Sequence, residues 1–228
     1  MHTTPREMGL GGDLSLKYAN EVAKGCSGAA KRFIQSVGSL RKTDLPLTEV
    51  LQTSLELSQK DDITIDVFNS LFRRLYAQDG FDLDLKTSLD IAKSLSVEYS
   101  GSAKTAMQDF EKLSVFCGSK SSLELPVREC VDISSRIAQL GGKHEVSVAD
   151  KFIESYRFLT KPEGVGFTVK EALELSETLL QTHPQAFTNF KQGYEYAISK
   201  NGLAADRKTA LAFGQKMASA TLKTSKTH

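Results

Sequence analysis

Three cysteines and four histidines are the residues of this 228-residue chain best suited to covalent or metal chemistry. Cys26, Cys117 and Cys130 are odd in number and form no CxxC pair. They therefore do not read as a disulfide framework, which points to a reducing compartment. His2, His144, His183 and His228 fall at no metal-ligand spacing from them. The thiols are expected as small buried residues standing in for Ala or Ser. His144 and His183 fall in turns, where solvent exposure is the plain expectation.

Glycine-centred runs around Gly80 (YAQDGFDLDLKTS), Gly166 and Gly202 invite a calcium reading. An EF-hand needs oxygen ligands at fixed loop positions around its glycine. Asp79, Asp82 and Asp84 miss those positions, and the other two runs mostly lack acids. The chain has no GxSxG, P-loop, Rossmann fingerprint or HExxH. It is expected not to be an enzyme and to need no cofactor and no metal. Only Arg73-Arg74-Leu75-Tyr76 and Tyr156-Arg157 place aromatics beside cations, and 29 basic residues nearly cancel 28 acidic ones. Nucleic acid is thus a disfavoured partner. No run approaches the ~18 apolar residues of a membrane span. The opening MHTTPREMGLGGD has no apolar signal core, so a cytoplasmic location is expected.

The elements that carry these residues are set by an internal repeat. Phe68, Phe110 and Phe152 are 42 residues apart twice over, and Phe190 follows after 38. Counting from each anchor, position 4 holds Phe72, Ser114, Tyr156 and Tyr194; position 7 holds Leu75, Cys117, Leu159 and Ala197. Position 13 holds Phe81, Leu123, Val165 and Leu203, and position 15 holds Leu83, Leu125, Phe167 and Ala205. Positions 21, 23 and 27 continue as Leu89, Ile91 and Leu95; Val131, Ile133 and Ile137; Leu173, Leu175 and Leu179; Leu211, Phe213 and Met217. Only Ser114 among them is polar, far fewer than average composition allows.

Positions 0, 4 and 7 have helical spacing and define a helix A. Gly80, Gly118, Gly164 with Gly166, or Gly202 follows and is expected to supply positive φ. The apolar pair at 13 and 15 has an extended period and reads as an elbow closing the hairpin. Position 16 is an N-cap residue in Asp84, Thr168 and Asp206, and an N1 proline in Pro126. Positions 21 to 27 define helix B.

The expected fold is all-α: tandem αα-hairpins of about 38–42 residues, four regular and one less so, forming either an α-solenoid or a compact helical-repeat domain. The units run approximately 27–62, 63–102, 103–144, 145–184 and 185–221, within a single domain at 14–221. The first is the irregular one, built on Phe33, Val37, Leu40 and Leu45-Pro46-Leu47. Residues 14–24 add a capping helix, and 1–13 and 222–228 are expected as disordered ends.

Within the repeat one polar column recurs. Position 18 is Lys86, Arg128, Lys170 and Lys208, in the first turn of helix B where the dipole disfavours cations. One reading is a basic docking edge for an acidic peptide or a phosphate. The other pairs each cation with an acid four residues on, Asp90, Asp132 or Glu174, leaving Lys208 opposite Ala212. Small residues recur at positions 20 (Ser88, Cys130, Ala172, Ala210) and 24 (Ala92, Ser134, Ser176, Gly214), where they admit a close neighbouring helix. The functional expectation is a non-catalytic adaptor or scaffold that binds a protein or peptide, with those four basic residues as its contact surface. The alternative is a carrier or sensor of an apolar small ligand held between hairpins, and an enzyme ranks third.

Overall fold

The structure is a computed structural model that describes residues 12–120 and 122–224. Among these residues eleven α-helices and no strand occur. They are α1 (Gly12–Ala23), α2 (Ala29–Leu40), α3 (Leu47–Ser58), α4 (Asp62–Tyr76), α5 (Leu85–Ser96), α6 (Ala103–Gly118), α7 (Val127–His144), α8 (Ala149–Thr160), α9 (Val169–Thr182), α10 (Ala186–Ile198) and α11 (Arg207–Thr224). A short 3-10 turn, Ser100–Ser102, precedes α6. The fold is therefore all-α, built of consecutive helix pairs: α2 packs on α3, α4 on α5, α8 on α9 and α10 on α11. Of the ends expected as disordered, 1–13 and 222–228, residues 1–11 and 225–228 lie outside the described residues, while helix already begins at Gly12 and α11 continues to Thr224, which corrects the expectation there. No described helix is long and apolar enough to cross a membrane.

The chain forms two compact units that divide after Met107, within α6. In the first, α1 closes against α2 and α3, with Tyr18 stacked on Phe33 at 6.0 Å. Phe33, Val37 and Leu40 are buried on α2, opposite Val50, Leu51 and Leu57 of α3. Phe68, Leu71 and Leu75 of α4 and Leu89, Ala92 and Leu95 of α5 are buried in turn. In the second unit one cluster runs from Leu113 to Ala218 and includes Phe152, Phe187 and Phe190. Each such side chain contributes about 1.5–3 kcal/mol relative to an exposed one. Ser114, the polar exception in the apolar pattern, satisfies its hydroxyl on the Phe110 carbonyl at 2.7 Å.

The elbows between helices A and B repeat one backbone geometry four times. The N–H at position 15 donates to the carbonyl at position 7: Leu83 to Leu75, Leu125 to Cys117, Phe167 to Leu159 and Ala205 to Ala197. The N–H at position 12 donates to the carbonyl at position 9: Gly80 to Ala77, Ser122 to Ser119, Gly164 to Lys161 and Gly202 to Ser199. Between them, position 14 takes positive φ in all four: Asp82 50°, Glu124 49°, Gly166 66° and Ala204 48°.

This corrects the role expected for the loop glycines. Gly166 alone among those named supplies positive φ. Gly80, Gly164 and Gly202 serve close approach instead. A Cβ there would overlap the carbonyl oxygens of Arg74, Phe158 and Tyr196, which turn inward to accept the elbow's own N–H groups. Gly118 is simply the last residue of α6. Position 16 caps helix B as expected in three elbows: Asp84 accepts from Thr87 N–H, Thr168 forms a capping box with Glu171, and Asp206 accepts from Thr209 N–H. Pro126 stands at the N-cap and not at N1, with extended ψ of 148°, and Val127 opens the helix.

The small-residue columns do admit close neighbours. Ser155 and Ser176 share a hydrogen bond at 2.9 Å between α8 and α9, both fully buried. In the last pair their places are taken by Gly193 and Gly214, and a Cβ on Gly193 would stand 3.2 Å from the Gly214 Cα.

Candidate functional site

The basic column falls at one position of four helices. Lys86, Arg128, Lys170 and Lys208 are each the second residue of α5, α7, α9 and α11, and all four are exposed. Lys86 belongs to the first unit and the other three to the second. There, the helix pairs stack in step. Phe116 meets Tyr156 edge-on at 5.6 Å, and Phe158 meets Tyr194 edge-on at 5.8 Å, so position 6 of one pair receives position 4 of the next. Arg136 of α7 reaches Glu177 of α9 at 3.1 Å, and the Arg207 guanidinium lies over Gly166. These contacts join α6 to α8, α8 to α10 and α7 to α9, and set the start of α11 beside the elbow that precedes α9. The expected pairing within a helix is met at Lys170 and Glu174, 4.0 Å apart. Asp132 is bound by Arg136, whose pKa is raised chiefly by its hydrogen bond to Glu177.

A second surface lies on the A helices. Asn69, Ser70, Arg73 and Arg74 of α4, with Ala77 at its C-cap, line a groove of about 440 Å³. A groove of about 480 Å³ occupies the same register of α8: Ile153, Glu154, Arg157, Phe158 and Lys161, with Asp150 and with Lys191 from α10. Lys191 bridges its rim, 3.3 Å from Glu154 and 5.6 Å above the Phe158 ring. In the sequence Arg73 and Arg157 stand out only as cations close to tyrosines. Their common position, five residues after the anchor phenylalanine, was the signal that joins them.

The structure also brings together groups that sequence reading kept apart. His144 ends α7 and His183 caps α9, their rings 6.3 Å apart beside a cleft of about 260 Å³ that includes Ser147, Lys151 and Gln185. His144 is half-buried, with its Nε2 sealed off and without a partner, so it departs from the exposed turn residue expected. Burial, followed by Lys143 and His183, lowers its pKa, while the Leu180 carbonyl opposes them. His183 accepts the Gln185 N–H at Nδ1, 3.0 Å away.

Cys117 and Cys130 face each other between α6 and α7, both buried as expected. Burial, then Cys130, pushes the Cys117 thiol up to about 11, so it stays protonated and is a poor nucleophile. Cys130 donates to the Leu125 carbonyl at 3.3 Å; Cys26 departs from the buried position expected of it, being exposed and accepting from the Arg32 guanidinium. Asp109, 2% exposed, binds the start of α8 through Ser147 Oγ at 2.6 Å, Val148 N–H at 2.8 Å and Ala149 N–H at 3.3 Å. Its acceptor sites are spent on structure. No group of three metal-ligating side chains occurs among the described residues.

Compared with known protein families, curated proteins and solved structures, the chain matches none.

Proposed function

We propose that this chain is a non-catalytic module that binds a protein or peptide of acidic character, working as an adaptor or scaffold in the cytoplasm. One observation carries the reading: a cation stands exposed at the second residue of four B helices. There the partial positive charge of each helix N-terminus adds to the side-chain charge instead of cancelling it. A cation so placed costs its own helix stability, and an anionic partner recovers that cost. Stacked hairpins offer such a partner an extended surface. Lys86, Arg128, Lys170 and Lys208 are its proposed contacts. The test is affinity capture from native lysate with wild type and with the fourfold Lys/Arg→Glu chain. The reading expects a partner retained by wild type and lost by the variant; identical capture by both sinks it.

A further inference from the structure

The last helix pair carries a stacking face that nothing among the described residues fills. Three apolar columns show it. At position 6, Phe116 is covered by Tyr156 and Phe158 by Tyr194, whereas Tyr196 is 53% exposed. At position 13, Leu123 and Val165 are buried and Leu203 is 52% exposed. At position 27, Ile137 and Leu179 are buried and Met217 is 40% exposed. The inner residues are buried because α7 is met by α8 and α9, and α9 by α10 and α11. On α10–α11 the same positions form one patch: Tyr196 lies 6.3 Å from Phe213, which is one helical turn from Met217, and Leu203 N–H is bonded to the Tyr196 carbonyl.

What fits such a face can be read from the filled joints. Each receives a helix that lays a tyrosine edge-on against the position-6 ring. Charge narrows the fit further. At position 26, Arg136 of α7 reaches forward to Glu177 of the incoming helix; at position 2, Lys112 of α6 reaches Asp150 of α8 at 2.5 Å. The joint between α8 and α10 has the opposite sense, Glu154 to Lys191. The last pair holds Lys216 at position 26, exposed, and α11 contains Arg207, Lys208, Lys216 and Lys223 without a single acid. Glu195 and Asp206 are the nearby acids, and Asp206 is committed to the Thr209 N–H. Two copies of this face would set cation against cation.

From this we infer that the α10–α11 face docks an acidic amphipathic helix of a partner protein, which lays an aromatic ring on Tyr196 and a carboxylate against Lys216. The inference rests on the interaction reading above and assigns it a second surface. The probe is a labelled helical peptide with Tyr and Leu along one face and Glu elsewhere, beside a twin with Lys for Glu. Both are titrated by fluorescence anisotropy into the full chain. The acidic peptide is expected to bind at least about tenfold tighter than its twin, a gap of roughly 1.4 kcal/mol. Leu203→Ser with Met217→Ser removes that binding at unchanged helicity, since both side chains are exposed, and Lys216→Glu reverses the preference. Failure of the acidic peptide to saturate, or equal binding by wild type and the double variant, overturns the inference. So does a concentration-dependent dimer abolished by the double variant, which makes the occupant a second copy. The fourfold variant of the basic column, run in parallel, separates the two readings: capture lost there with peptide binding insensitive to Leu203 and Met217 refutes this face alone.

Discussion

A single methyl group separates two kinds of glycine in this chain. Gly164 has no room for a Cβ because the Phe158 carbonyl turns into its place. Gly164→Ala is expected to cost about 1–3 kcal/mol, the range for overpacking. Gly38 lies in α2 with open space where a Cβ would go, so Gly38→Ala is expected to stabilise by about 0.5–1 kcal/mol. Urea denaturation of the two variants checks both signs. Asp109→Ala strands two buried N–H groups at the start of α8 and is expected to cost on the order of 3 kcal/mol. Chemical denaturation reads this too, with Asp109→Asn recovering part of the loss. For His144, burial lowers the folded pKa below the ordinary imidazole value of 6.5. The unfolded chain therefore takes up the proton first, and stability falls as pH drops from 6.5 through the folded value. Thermal melts of wild type and His144→Phe across that window should differ in slope, with the variant flatter. None of this is legible in the sequence: Asp109 matters through contacts 38 to 40 residues away and Gly164 through one six residues away, and spacing alone names no carbonyl that turns inward.

At the scale of the element, the sequence was far more informative. Helical spacing at positions 0, 4 and 7 and the extended pair at 13 and 15 correspond to helix A and to an elbow with the same hydrogen bonds in all four loops. The apolar alternation was legible because three of the four elbows bury one of their alternate side chains, Leu83, Leu123 or Val165. The site of positive φ was not, because Asp82, Glu124 and Ala204 adopt it without being glycine. Such residues tolerate the strained conformation only where surrounding hydrogen bonds dictate it. Asp84, Thr168 and Asp206 were legible as caps from residue type alone. Thr168→Ala should lower stability by about 1 kcal/mol in thermal melts. Thr168 and its N–H depress the Glu171 pKa, and the Thr209 N–H depresses that of Asp206. Their contribution is complete above the ordinary carboxylate range, about pH 4, and is lost as pH falls through the depressed values. An acid titration followed by circular dichroism should find Thr168→Ala less sensitive than wild type. In the pair α2–α3 the less regular register has a visible cause. Its connection closes through Thr43 bonding to Leu40, without the positive-φ step.

For the whole molecule, a formal charge of +1 hides an ordered distribution. Cations gather at the second residue of four B helices and along α11, while ion pairs cross the joints between pairs in both senses, Lys112 to Asp150 and Arg136 to Glu177 but Glu154 to Lys191. The column Lys86, Arg128, Lys170 and Lys208 was legible because recurrence inside one chain exposes a polar position that packing does not require. The A-helix grooves and the open face of α10–α11 were not, since exposure at the end of a stack depends on which neighbour is missing. The proposal that the chain works by binding is tested most directly by the dissociation constant of its captured partner, measured by titration calorimetry on wild type and on the fourfold Lys86→Glu, Arg128→Glu, Lys170→Glu, Lys208→Glu chain. The account predicts at least about tenfold weaker binding by the variant, with thermal stability held or raised because acids now face the helix N-termini. Equal affinity in the two proteins would contradict it.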